Sequence, residues 1–212
     1  MKQLLTSLLD LIFPPRCEVC RKNSQAAMCQ DCFIEIKYMK PHLGIHSVST
    51  YEGALKEAIH RFKFKNRKRL ADPLGLLLVN YLSHIPSINM QEIDAIVPVP
   101  LHQRRLKERG FNQVALVAQI MQKYFEVPVL PALERIKDTE AQFDLAREER
   151  FHNIKEAFRV NHNHSVADKR VLLLDDIYTT GATIAECSKC LKTAGAKRVE
   201  ILTLSRAVEH QA

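Results

Sequence analysis

The run VLLLDDIYTTGAT, residues 171–183, sets the architecture expected of this chain. Its opening, Val171 to Leu174, is an unbroken apolar stretch of the kind that forms a parallel strand buried on both faces. A helical pattern follows, Gly195 supplies a helix stop, and a second apolar run spans Val199 to Leu204, so the region reads as a strand–loop–helix–strand unit. In open α/β sheets ligands bind beyond the carboxyl ends of the strands, which is where Asp175, Asp176 and the loop Thr179 to Thr183 fall. Two carboxylates there can accept from vicinal sugar hydroxyls. Backbone N–H groups of Thr180, Gly181, Ala182 and Thr183 at a helix start can wrap a phosphate, with the hydroxyls of Thr179, Thr180 and Thr183 as further donors. The chemistry this suggests is recognition of a ribose 5-phosphate unit. An acidic turn that merely caps a helix is the competing explanation.

The chain has 212 residues, with 46% hydrophobic and 26% charged, values of a globular protein and not of a disordered or fibrous one. Lys and Arg number 31 against 24 Asp and Glu, a formal charge of +7 that favours polyanionic partners such as phosphates or nucleic acid. Residues 1–17 imitate a secretory signal, but Asp10 breaks the apolar run and Pro14, Pro15 and Arg16 stand where a cleavage site would need small residues. Leu4, Leu8, Leu11 and Leu5, Leu9, Ile12 instead share one helical stripe, expected to dock on the protein's own body, and the stretch is too short for a transmembrane segment. A cytoplasmic location is the expectation, with the six cysteines as thiols or metal ligands.

Cys17, Cys20, Cys29 and Cys32 form two C-x-x-C pairs, a spacing that lets four thiolates converge on one zinc ion in a segment too small for a core. Cys187 and Cys190 form a third pair but lie in a helical pattern, where they read as small packing residues. The change of composition at Tyr38 to Gly44 divides the chain into residues 1–40, the helix and zinc knuckle, and residues 45–212, a larger α/β domain.

Two other stretches stand out. Ile93 to Val97 is a further apolar strand, followed by an extended turn at Pro98 to Pro100 and by Arg104, Arg105, Lys107 and Arg109, which also suit a solvated helix face. His60 to Leu70 reads HRFKFKNRKRL, in which Lys63, Lys65, Arg67 and Lys68 interleave with Phe62 and Phe64. Cations there can neutralise a nucleic-acid backbone while the rings stack on unpaired bases; alternatively, strand-like alternation buries both rings beneath a basic face. The histidines His42, His46, His102, His152, His162 and His164 read as surface or loop residues.

The 171–183 block resembles the phosphoribosyl pyrophosphate signature of type I phosphoribosyltransferases. Together with the N-terminal cysteines and VPVPLHQRRLKERGFNQ at 97–113, it makes almost the whole chain similar to the ComF family of competence proteins. The resemblance implies an α/β type I phosphoribosyltransferase fold, a central mainly parallel sheet with flanking helices, preceded by the four-cysteine zinc knuckle. It implies binding of phosphoribosyl pyrophosphate with magnesium by Asp175, Asp176 and Thr179–Thr183. Val97, Pro98, Val99 and Pro100, with Arg104, Arg105 and Arg109, match the pyrophosphate loop. Leu133 to Phe158 matches the flap, with Arg135, Thr139, Gln142, Leu145, Arg150, Asn153 and Phe158 as family-like residues, although an ordinary charged helix fits the same stretch. The prolines depart from small, glycine-rich pyrophosphate loops because they remove amide donors. Implied partners are single-stranded DNA during natural transformation and other DNA-uptake proteins. The catalytic residues and the acceptor are not written in the sequence. A salvage or biosynthetic phosphoribosyltransferase and a non-catalytic nucleic-acid adaptor remain the alternatives.

Overall fold

A computed structural model describes residues 14–85, 87–138 and 154–207. The apolar runs become a four-stranded sheet, all parallel, in the order β1 (Ile45–Thr50), β6 (Arg198–Arg206), β5 (Arg170–Tyr178), β2 (Ala95–Pro98). The segments between strands form the covering helices α2 (Gly53–Phe64), α3 (Ala71–His84), α4 (Gln103–Arg109), α5 (Gln113–Phe125) and α6 (Ala182–Thr193), after a short first helix α1 (Gln30–Glu35). A separate antiparallel pair, β3 (Leu133–Arg135) with β4 (Phe158–Val160), lies beside α6.

Strand alternation splits the core into two layers. Leu172 and Leu174 face α2, α3 and α5, whereas Val171 and Leu173 face α6 and the β3–β4 pair. The first layer extends into the cysteine segment, since Cys17, Val19, Met28 and Ile36 belong to the same buried cluster as Leu55, Phe62 and Leu74. Polar contacts fasten the same junction: Glu35 Oε1 accepts from the Ala54 N–H at 3.1 Å, and Arg69 donates to the Gln25 carbonyl at 3.0 Å.

Three local expectations change. The Pro98 to Pro100 turn starts later, because Pro98 still pairs with Leu174 and Val99 still donates to the Leu174 carbonyl at 2.9 Å. This costs no ladder bond: the Ile96 N–H, of the same parity as Pro98, points away from β5 to the Pro128 carbonyl. His46 is no surface residue but lies buried in β1, within 3.3 Å of Ser87 Oγ and edge-on to Tyr81, and burial lowers its pKa. The third concerns His60 to Leu70, where α2 runs through Phe64 and a single 3₁₀ turn follows at Lys68–Leu70. A helix turns about 100° per residue, so Phe62 and Phe64 cannot share a face. Phe62 is buried against Phe111, and Phe64 is 56% exposed. The N-terminal amphipathic stripe at Leu4 to Ile12 lies outside the described residues.

Helices α3 and α5 approach closely at Gly75, where an added Cβ would stand 2.5 Å from the Ile120 Cβ. Gly75→Ala should therefore lower stability by about 1–3 kcal/mol through overpacking, despite the better helix propensity of alanine. Urea unfolding would measure it.

Candidate functional site

Strand β5 outlasts β2. Their pairing stops at Pro98–Leu174, while β5 continues beside β6 as far as Tyr178–Arg206. Asp175 and Asp176 thus belong to the strand itself, on the stretch where β2 has already left, and not to a loop after it. The chain departing β2 rises into α4, and a cleft of about 440 Å³ opens between α4, the end of α2 and the loop after β5.

Alternation sends the two adjacent carboxylates to opposite faces of β5. Asp176 turns toward α2 and α5 and is nearly buried; its Oδ1 accepts from Lys63 Nζ at 2.7 Å and its Oδ2 from the Gln113 amide. Arg109 in turn donates to Gln113 Oε1. The backbone is pinned too, with Ser205 Oγ donating to the Asp176 carbonyl at 3.2 Å. Asp175 turns toward α6 and β3, and its Oδ1 accepts the Asp176 N–H at 2.8 Å. Burial, followed by the neighbouring Asp176 charge, pushes its carboxyl up to about 7, against the opposing pull of that N–H, Lys63 and Arg135.

Gly181 caps α6 with φ +82°, and a Cβ there would lie 2.5 Å from the Tyr178 hydroxyl. The positive φ favours glycine, and a side chain here would also have to displace the Tyr178 ring. The first turn of α6, which starts at this cap, adds Thr183 and Ile184 to the cleft wall. Thr179 and Gly181 of the loop and Thr183 on the first turn of α6 line the cleft along with both aspartates; Thr180 supports the loop by accepting the Ala182 N–H at 3.4 Å.

From the 97–109 stretch, Val99, Arg105 and Arg109 line the cleft. Val97 and Pro98 stay in the sheet, and Arg104 turns to Asp138 at 2.7 Å. Arg135 on β3 also lines it, whereas Thr139, Gln142, Leu145, Arg150 and Asn153 lie outside the described residues. Lys63 enters the cleft, while Lys65, Arg67 and Lys68 are exposed outside it. Sequence reasoning missed Gln113. Its signal was present: Gln113, Val117 and Met121 repeat at spacing four on the buried stripe of α5, and a polar group on such a stripe needs a partner.

The four N-terminal sulfurs lie within 4.8 Å of one another, with Cys17–Cys32 at 3.9 Å and Cys20–Cys29 at 3.6 Å. Tetrahedral thiolates about 2.3 Å from a zinc ion stand roughly 3.8 Å apart, so the donor set fits that metal. Burial alone would raise the Cys17 thiol, but the N–H groups of Cys29, Cys20 and Val19 outweigh it and pull the pKa down to about 6, toward the thiolate a metal needs. Cys187 is buried in α6 and Cys190 Sγ is directed at the Phe158 carbonyl at 3.4 Å, so this pair is packed in the second core layer.

Comparison with known proteins matches residues 106–211 to a phosphoribosyl transferase domain and residues 8–43 to a double zinc ribbon domain. Competence protein F of Haemophilus influenzae is 30% identical over 206 residues, 90% of each chain. The chain belongs to the ComF family. Competence protein ComFC of Bacillus subtilis is 30% identical over 195 residues, 90% of this chain and 77% of that one. DNA utilization protein YhgH of Escherichia coli K12 is 31% identical over 205 residues, 90% of this chain and 89% of that one. In this ComF member the fold is that of a type I phosphoribosyltransferase with an N-terminal zinc ribbon, whose four cysteines form a structural zinc site. Among the described residues no helix is long and apolar enough to cross a membrane.

Because its carboxyl is raised, Asp175 binds its proton more tightly in the folded chain, so its ionisation costs stability as pH climbs from about 4 through about 7. Asp175→Asn should therefore gain stability over the natural protein as pH rises from about 4 to about 8, by up to about 4 kcal/mol for a carboxyl raised to about 7; melting curves across that range would check it. Metal analysis should return one equivalent of zinc, and Cys17→Ser should lower the Tm by roughly 5–10 °C, since Cys17 also belongs to the shared core.

Proposed function

We propose that the cleft binds phosphoribosyl pyrophosphate together with magnesium, and that the chain uses this site in handling incoming single-stranded DNA. The observation that carries the reading is the meeting, in one cleft, of two carboxylates on the end of β5 with the short loop that Gly181 ends at the start of α6. The 5-phosphate would sit on Thr179, Gly181 and Thr183 with Thr180 and Ala182 shaping the loop, and Asp175 and Asp176 would accept from the ribose hydroxyls. Val99, Arg105, Arg109 and Arg135 would flank the pyrophosphate. Both carboxylates are hard oxygen donors of the kind magnesium takes, and the metal would offset pyrophosphate charge.

Transfer to an acceptor would follow if a nucleophile reached the anomeric carbon while the arginines stabilised departing pyrophosphate. Pro100, in the turn after β2, supplies no amide donor for that step, which favours binding over rapid turnover. The competence and DNA-utilization names of the relatives support the DNA role. Lys65, Arg67 and Lys68, exposed in the chain after Lys63 and Phe64 of the cleft wall, are the candidate strand contacts. The division into residues 1–40 and 45–212 is part of the same proposal, with the ribbon as a docked module.

Calorimetric titration of phosphoribosyl pyrophosphate with magnesium tests the reading. Saturable binding that disappears in Asp175→Ala/Asp176→Ala is the expected result. No heat with the natural protein would overturn it and leave a nucleic-acid adaptor built on the same fold.

A further inference from the structure

Both oxygens of Asp176 already have donors, Lys63 on Oδ1 and Gln113 on Oδ2. A sugar hydroxyl must therefore share or replace one of them. Gln113 is poorly placed to leave: it is 4% exposed on the buried stripe of α5, and its own oxygen is tied to Arg109. Lys63 differs on each count. It comes from the last turn of α2 and carries a flexible four-carbon stem with 11% of its side chain exposed, on a cleft wall that both residues share.

Charge points the same way. The cleft wall sets four cations, Lys63, Arg105, Arg109 and Arg135, against the three carboxylates Asp175, Asp176 and Glu108. An entering polyphosphate brings more negative charge than Asp176 and adds phosphate oxygens that suit an ammonium. Breaking a buried pair without replacement is strongly unfavourable, so departure of Lys63 requires a donor to take its place on the carboxylate. The hydroxyls of a ribose phosphate are such donors.

We propose that Lys63 is an exchangeable ligand-binding residue, whose ammonium holds Asp176 and passes to the phosphate oxygens of an arriving sugar phosphate as the sugar hydroxyls take over the carboxylate. The inference rests on the phosphoribosyl pyrophosphate reading of the cleft. It moves Lys63 from the expected nucleic-acid strip to the sugar-phosphate site and makes α2 a participant in ligand binding.

The test follows affinity and the lysine itself. Lys63→Gln keeps an amide donor for Asp176 but loses the charge; it should bind phosphoribosyl pyrophosphate with magnesium about 10- to 100-fold more weakly, the range of one charge-assisted hydrogen bond. Lys63→Arg should recover part of the loss. Affinity unchanged or tighter in folded Lys63→Gln would overturn the proposal, because a lysine that only competes for Asp176 would release the site when removed. Nitrogen-detected lysine spectra of the natural protein, with the resonance assigned through Lys63→Arg, give a second readout that needs no neutral variant. The Lys63 Nζ signal should shift on titration with phosphoribosyl pyrophosphate and magnesium. Calorimetric binding with an unmoved Lys63 signal would sink this inference alone, whereas absence of any binding would take the ligand reading down with it.

Discussion

The site depends on one inequality of length, that β5 runs to Tyr178 after β2 has stopped pairing at Pro98. An equal ladder would have closed the sheet over Asp175 and Asp176 and left their carboxylates among apolar neighbours. The early departure of β2 turns the last part of β5 into a ledge with one side open. The chain that leaves it carries Arg105 and Arg109 across the opening, and α6 begins at its far end with Gly181. Cations, carboxylates and a helix start then converge without any of them coming from a long loop.

The same ledge explains why two neighbouring aspartates are tolerated. On opposite faces of a strand they meet different surroundings. Asp176 is enclosed by Lys63, Gln113 and, through Gln113, Arg109, so its charge is compensated inside the core layer of α2 and α5. Asp175, on the layer of α6 and β3, has weaker compensation and a raised carboxyl. One residue is anchored and the other titrates near neutrality, a division that sequence adjacency conceals. Holding two carboxylates side by side on one strand costs stability.

Helix α2 connects this site to the cysteine segment. Its N-terminus receives Glu35, its buried face shares a cluster with Cys17 and Met28, and its last turn delivers Lys63 and Phe64 to the cleft. The zinc ribbon therefore buttresses the element that presents Lys63.

What the sequence by itself determined was whatever short-range patterning encodes. The apolar runs at 171–174, 199–204 and 93–97 specified strands, the doubled C-x-x-C specified a metal knuckle, and DDIYTTGAT specified a carboxylate pair ahead of a loop and a helix start. These signals survive because each rests on neighbours in the chain. Where strands end, which way a side chain turns and who meets it were decided by tertiary structure. Alternation plus register put Asp175 and Asp176 on opposite faces, helical geometry separated Phe62 from Phe64, and the packing of α2 against β5 brought Lys63 to Asp176, 113 residues away in sequence. Pairings at that separation leave no local periodicity, so only the packed sheet and helices could reveal them.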